Sequence, residues 1–391
     1  MIPQPDHPYA ATVEELATAL RATAVERDRA GGHPRHEREL LRASGLLKLA
    51  VPQEFGGYGA DWSTILFTVR RLAEADSALA HLFAFQHLQV ASVLLYADPA
   101  QQARYLRATA ERDWFWGNAV NPIDPRATAR ADQGRLRVDG TKSFCSGARG
   151  SDILLFSAIL QPAGKLVVAA VPTGRAGITV HDDWDAIGQR QTDSGTVSFD
   201  KLLVEQDEVF ANPGPGGSTY ATLRPCLAQL TLVNLYLGIA RGAFAEGRAY
   251  TLGPGRPWVY SGVDKASADP YIVHRYAELW LQIKAATALT DAAAAELDAA
   301  WARGTALTED ERGRCALAIA EAKVLAARAA LDVSAKIFDA VGARATAARY
   351  GLDRFWRNAR THTLHDPLDY KLRDIGNWAL NGQWPTPSFY S

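Results

Sequence analysis

Asp152-Ile153-Leu154-Leu155-Phe156-Ser157 and, shortly after it, Lys165-Leu166-Val167-Val168-Ala169-Ala170-Val171 are short apolar runs bounded by polar and turn residues. Runs of this length and composition read as strands. Arg135-Leu136-Arg137-Val138-Asp139-Gly140 belongs to the same set, and Thr196-Val197-Ser198-Phe199-Asp200 alternates as a half-buried strand does. Residues 114–210 thus form a β region with no helix between its strands, which predicts a small antiparallel sheet or barrel. Everything on either side reads as helix. This island decides the fold class: α+β, mainly α.

On the N-terminal side, past a Pro-rich start, residues 11–30 are amphipathic, with Leu16, Leu20 and Val25 on one face. Gly31-Gly32-His33-Pro34 stops that helix, and 35–44 form a second ending at Gly45. The glycine-dense stretch 49–60 must turn. Residues 62–96 carry helical spacing with a break at Asp76-Ser77, and Asp98-Pro99 caps a helix reaching about 110. On the C-terminal side, Asn212-Pro213-Gly214-Pro215-Gly216-Gly217 is a linker. Four long helical stretches follow, 220–252, 269–304, 308–341 and 352–380, and predict a four-helix bundle. The expected units are an N-terminal helical domain (1–112), a central β domain (113–211) and the bundle (212–391).

A chain of 391 residues, 48% of them hydrophobic, can bury a sizeable core. Its net charge of -1 gives no reason to expect nucleic acid or an anionic membrane. No apolar run approaches the ~20 uninterrupted residues of a membrane span. Three scattered cysteines without metal spacing fit reduced thiols, and the N-terminus has no signal-peptide pattern. The expectation is a soluble cytoplasmic protein.

The chemistry concentrates in Arg360-Thr361-His362-Thr363-Leu364-His365-Asp366-Pro367, where two histidines three residues apart share one side of a helix. As metal ligands they would need partners that the neighbouring sequence does not supply, so no metal is expected. No Gly-x-Gly-x-x-Gly or Walker loop is present, so a bound phosphate would rely on arginine and backbone donors. No nucleophile elbow is present either.

With these elements in this order, the chain resembles the acyl-CoA dehydrogenase superfamily over nearly its whole length. The motifs are Pro52-Gln53-Glu54-Phe55-Gly56-Gly57-Tyr58-Gly59, Gly140-Thr141-Lys142-Ser143-Phe144-Cys145-Ser146-Gly147-Ala148 and Phe338-Asp339-Ala340-Val341-Gly342-Ala343. A true dehydrogenase needs a carboxylate base, usually Glu, where this chain has Leu364-His365-Asp366. Together with 115–122 and 356–367, that departure resembles the family's flavin-dependent monooxygenases. The resemblance implies a two-component system in which a separate NAD(P)H-dependent flavin reductase delivers reduced flavin. FMNH2 is preferred over FADH2, and O2 reacts with it to give a C4a-hydroperoxyflavin. It implies a homotetramer, a dimer of dimers, with no nucleic-acid or membrane partner.

By the same resemblance, His87, Ser146 and His365 stabilise and steer the peroxide, Ser146 through its hydroxyl proton. Asn118 and Asn121 meet the flavin's pyrimidine edge and Phe144 packs on its rings. Arg256, carried from a neighbouring subunit, and Arg344 take the phosphate, and His362 and Asp366 complete the flavin site. Phe85, Trp116 and Trp184 suit an apolar planar substrate, oxygenated on sulfur or on an electron-rich ring. The rival expectations are an FAD-dependent acyl-CoA dehydrogenase and a non-catalytic scaffold on the same fold.

Overall fold

The structure, a computed structural model, describes residues 7–391; the Pro-rich start lies outside the described residues. The N-terminal unit contains α1 (Ala10–Ala30), α2 (Arg35–Ala43), α3 (Trp62–Ala75), α4 (Ser77–Tyr96) and α5 (Pro99–Arg112). Side chains fix where these helices start. Asp76 accepts from the backbone N–H groups of Ala78 and Leu79, which ends α3 and begins α4 in a single residue. Asp98 and Gln101 form a reciprocal capping box at α5.

The central strands are β1 (Trp116–Ala119), β2 (Thr128–Asp132), β3 (Arg135–Lys142), β4 (Ile153–Leu160), β5 (Lys165–Pro172), β6 (Ile178–Val180) and β7 (Val197–Val204). They form one sheet in the order β1-β4-β2-β3-β7-β6, with β5 on the other edge of β4. The expected antiparallel sheet is in fact mixed: β4 runs parallel to β1, with Trp116 opposite Ile153 and Ala119 opposite Phe156, and parallel to β2. The β2–β3 hairpin supplies the crossover that parallel pairing requires. Alternation in a sequence marks a strand but not its neighbour.

The C-terminal unit packs α6 (Leu223–Leu252), α7 (Pro270–Ala302), α8 (Glu309–Val341), α9 (Asp353–Thr363) and α10 (Leu368–Asn381). Thr308 and Glu311 cap α8 reciprocally. The last predicted helix is two: the chain leaves helical geometry after Thr363 and restarts behind Pro367. His365 therefore lies in the turn between α9 and α10, and does not share a helix face with His362.

Among the described residues, α4 and the 220–252 stretch are long and apolar enough to cross a membrane, contrary to the expectation from the sequence. Of the qualifying window of each, 89% is buried inside the protein. They are core helices, apolar on every side because neighbours cover every side.

Close backbone approach seats α6. A Cβ at Gly238 would lie 2.5 Å from that of Ala73, and one at Gly242 2.5 Å from the Glu74 carbonyl oxygen and 2.7 Å from the Phe355 ring. Gly242 thus lets α6 press against the end of α3 and against α9 at once. Gly242→Ala is expected to destabilise the fold by about 1–3 kcal/mol through overpacking, read as a lowered denaturant midpoint; an unchanged midpoint would refute that packing role.

Candidate active site

Three parts of the chain meet at one small polar junction. Gln189, in the loop between β6 and β7, donates its backbone N–H to Asn358 Oδ1 of α9 at 2.6 Å. The Gln189 and Asn358 amides both donate to Ser77 Oγ at the start of α4, at 3.2 and 3.0 Å. Gly188 tightens this junction, since a Cβ there would sit 2.2 Å from the Arg357 carbonyl oxygen.

One helical turn beyond Ser77 is His81, and one turn beyond Asn358 is His362. Their rings meet at 3.0 Å, Nδ1 of His81 to Nε2 of His362, and Phe85 stacks on His81 with centroids 4.0 Å apart. Both histidines are buried. Burial pushes His81 down to about 3, and burial followed by its neighbours pushes His362 well below the ordinary histidine value. Two neutral imidazoles share one hydrogen bond, so one ring donates and the other accepts. Of the remaining nitrogens, His81 Nε2 and His362 Nδ1, one is therefore a bare acceptor and the other an N–H donor. Both are buried without a partner. The pair can offer a ligand one of each.

The Gln189 junction also leads to Ser146. Thr192 Oγ1 donates to the Gln189 carbonyl at 2.9 Å and contacts Ser194 Oγ at 2.7 Å, which contacts Ser146 Oγ at 2.8 Å. Each hydroxyl has one proton. With the Thr192 proton given to Gln189, Ser194 donates to Thr192 and Ser146 donates to Ser194. In that arrangement the Ser146 hydroxyl can accept a further hydrogen bond.

Beside Ser146, the Asn118 N–H donates to the Ser146 carbonyl at 3.0 Å, and Asn118 Oδ1 is held by Gln89 at 3.1 Å. Lys142 Nζ donates to the Asn121 carbonyl at 2.8 Å, while the Asn121 side-chain oxygen is buried and unpaired. Phe144 stands 65% exposed at φ +60°, its ring edge-on to Trp184 at 6.1 Å. A bulky residue with positive φ and an outward aromatic ring is costly unless something occupies the space over it. An apolar ring face, an orphaned amide oxygen and a hydroxyl acceptor suit a planar group carrying N–H donors, and a flavin fits that set. Trp184 donates its indole N–H to the Gln189 carbonyl at 2.9 Å, which ties this wall to the junction.

Other expected residues lie elsewhere. His87 is six residues past His81, on another side of α4, buried edge-on to Phe83 with both ring nitrogens unpaired. Burial pushes it down to about 3. It does not join the His81–His362 pair, because the helical phase that carries His81 there turns His87 away. Trp116 is a core residue donating to Thr109, not part of an open wall. Arg256 and Arg344 are exposed, outside the junction. Asp366 is not free for a ligand: its Oδ1 is in an ion pair with buried Lys323 of α8 and receives His365 Nδ1 at 2.9 Å.

Models of the acyl-CoA dehydrogenase N-terminal, middle and C-terminal domains match residues 8–113, 114–202 and 230–370. The chain belongs to the acyl-CoA dehydrogenase family. Within it, a probable FMNH2-dependent monooxygenase, SfnC, of Pseudomonas putida is 50% identical over 388 residues, which is 99% of this chain and 98% of that relative. A dibenzothiophene monooxygenase of Rhodococcus erythropolis is 44% identical over 99% of this chain and 96% of its own length. The solved structure of methanesulfinate monooxygenase MsuC from Pseudomonas fluorescens superposes with a TM-score of 0.97 at 49% identity, covering 99% of this chain and all of the other. The chain therefore sits in the flavin-dependent monooxygenase branch, and the dehydrogenase alternative falls away.

His81, Gln189, Ser194 and Lys323 were missed from the sequence. Only His81 left a signal there: its place four residues before Phe85 stacks it on a residue already expected at the pocket.

Asp366→Asn is expected to cost about 3–5 kcal/mol, because it leaves the Lys323 ammonium buried and unpaired. Burial works against the Asp366 charge, but His365 and Lys323 outweigh it and hold the carboxyl well below the usual carboxylate range. A depressed folded-state value contributes stability above the unfolded carboxylate value of about 4, lost as pH falls below it. Chemical denaturation from pH 7 to 3 should show that loss in the native protein and a flatter slope in the variant; parallel slopes would refute the assignment.

Proposed function

We propose that this enzyme uses reduced FMN and O2 to place one oxygen atom on a small organosulfur or heteroaromatic substrate. The observation that carries the reading is the neutral His81–His362 pair, buried without solvent beside Phe85 and tied through Gln189 to Ser146. A dehydrogenase needs a carboxylate base beside its substrate. Here the nearest carboxylate, Asp366, is consumed by Lys323, and neutral imidazoles and hydroxyls are what the site presents. Reduced flavin, when bound, supplies the oxygen-activating electrons.

This chain's residues then have distinct tasks. Phe144 and Trp184 would hold the ring system, and Asn118 and Asn121 its pyrimidine edge. Ser146 would accept a hydrogen bond from a flavin N–H. The buried His81 and His362, with the partly exposed His365, would handle the proton that accompanies oxygen transfer. A separate flavin reductase would supply the reduced cofactor. The two most similar relatives above are named for FMNH2 and for methanesulfinate, which favours FMN over FAD and a small organosulfur compound first.

A dimer of dimers would bring the exposed Arg256 and Arg344 of one subunit to the flavin phosphate of another. In support, Trp258, Val259 and Tyr260 stand exposed next to Arg256 in sequence, an apolar surface suited to burial. A soluble cytoplasmic enzyme accords with three free buried cysteines.

The test supplies reduced FMN from a generic flavin reductase and follows O2 uptake and product with methanesulfinate, dibenzothiophene and indole. Oxygenated product from at least one, with uptake matched to it, is expected; uptake released wholly as hydrogen peroxide with all three sinks the reading. Ser146→Ala, His81→Ala and His365→Ala should each lower the coupled rate by roughly 10²-fold, while His87→Gln should leave it nearly unchanged. A His87 variant as damaged as the other three would overturn the division drawn between the two α4 histidines.

A further inference from the structure

Lys323 is among the most deeply buried charged residues of the protein, in the middle of α8. Its ammonium donates to Gln229 Oε1 of α6 and to Asp366 Oδ1. Gln229 Nε2 also approaches that same carboxylate oxygen, at 3.5 Å. His365 Nδ1 reaches it at 2.9 Å. One oxygen thus serves a lysine, an amide and an imidazole, each arriving from a different element.

An ionised carboxylate can only accept, so His365 Nδ1 must be the donor, and the tautomer leaves Nε2 free for another partner. The His365 side chain is 40% exposed, so its ring would otherwise be at liberty to turn. A buried ammonium is costly and is kept only where its partners are in place. Here its effect reaches past Asp366. By balancing that carboxylate, it keeps Asp366 ionised and so an acceptor for His365 Nδ1.

We propose that Lys323 is a positioning residue for the monooxygenase reaction: acting through Asp366, it fixes the tautomer and orientation of His365. The inference rests on the proposed role of His365 in oxygen transfer. The other groups facing this cluster are consistent with it. His362 and His81 are held neutral, Tyr236 of α6 keeps its proton through burial, Lys371 of α10 is occupied by the Tyr390 carbonyl, and the Tyr390 ring lies edge-on over His365 at 5.6 Å. Lys323 is thus the cation in direct contact with Asp366.

The experiment is 15N NMR of the histidine rings in the full-length protein without flavin, with His365 assigned by a His365→Gln sample, alongside the pH profile of product coupling in the loaded enzyme. In Lys323→Met the His365 ring resonances should change and the pH profile of product coupling should differ from the native one, because Asp366 loses the cation that holds it as an acceptor. Lys323→Arg, which keeps the charge, should keep the profile. The native protein supplies a measurement that needs no variant. Burial, set against the Asp366 attraction, lowers Lys323 to about 8, so the His365 Nδ1 resonance should shift as pH crosses that value. Unchanged His365 resonances in Lys323→Met, or in the native protein across pH 8 should that variant not fold, overturn the proposal. If the resonances move while coupling does not, the positioning stands and the role given to His365 in oxygen transfer falls.

Discussion

The molecule depends on the meeting of Ser77, Gln189 and Asn358, where one hydroxyl oxygen accepts from two amides. Each belongs to a different part of the chain: the first turn of α4, the loop between β6 and β7, and the middle of α9. Separate domains usually move against each other, because interfaces between them are modest. This junction removes that freedom at the place where the chemistry lies. His81, His362 and the Thr192–Ser194–Ser146 hydroxyl chain are all within one turn or a few residues of it. Positional accuracy at the site is inherited from three hydrogen bonds and from a glycine, Gly188, with room for no side chain.

The histidine pair is expensive. Its two outer ring nitrogens are buried and unpaired, and each such group costs roughly 1–3 kcal/mol in lost hydration. Nothing in the packing demands histidine there, since leucine or phenylalanine would fill α4 at lower cost. That expense, placed against the stacked ring of Phe85, is the physical signature of a site built to meet a ligand. His87 carries the same kind of cost without the same company.

Much of this architecture can be read from residues alone. Asp98-Pro99 and Thr308-Glu309-Asp310-Glu311 announce helix starts through side-chain chemistry that acts locally, and the structure has both caps. The strand runs are legible because alternation and β-branching are local too. What fails is whatever depends on a partner distant in sequence. The parallel pairing of β1 with β4 is one such feature. Which α4 histidine meets His362 turns on which side α9 approaches α4. The contact of Ser146 with Ser194 joins residues forty-eight positions apart. Asp366 looks like a possible base until Lys323, forty-three positions earlier, is seen to hold it.

The all-round burial of α4 has a consequence for how this protein comes into being. On the ribosome α4 emerges more than a hundred residues ahead of α6, one of the main helices that cover it. Until α6 and α9 arrive, it has the hydropathy of a membrane segment with no membrane and no bundle to enter. Long-range contacts of this kind close late and leave apolar surface waiting. The same helix that buries His81 against its neighbours thus makes the nascent chain dependent on prompt completion or on a chaperone's shelter.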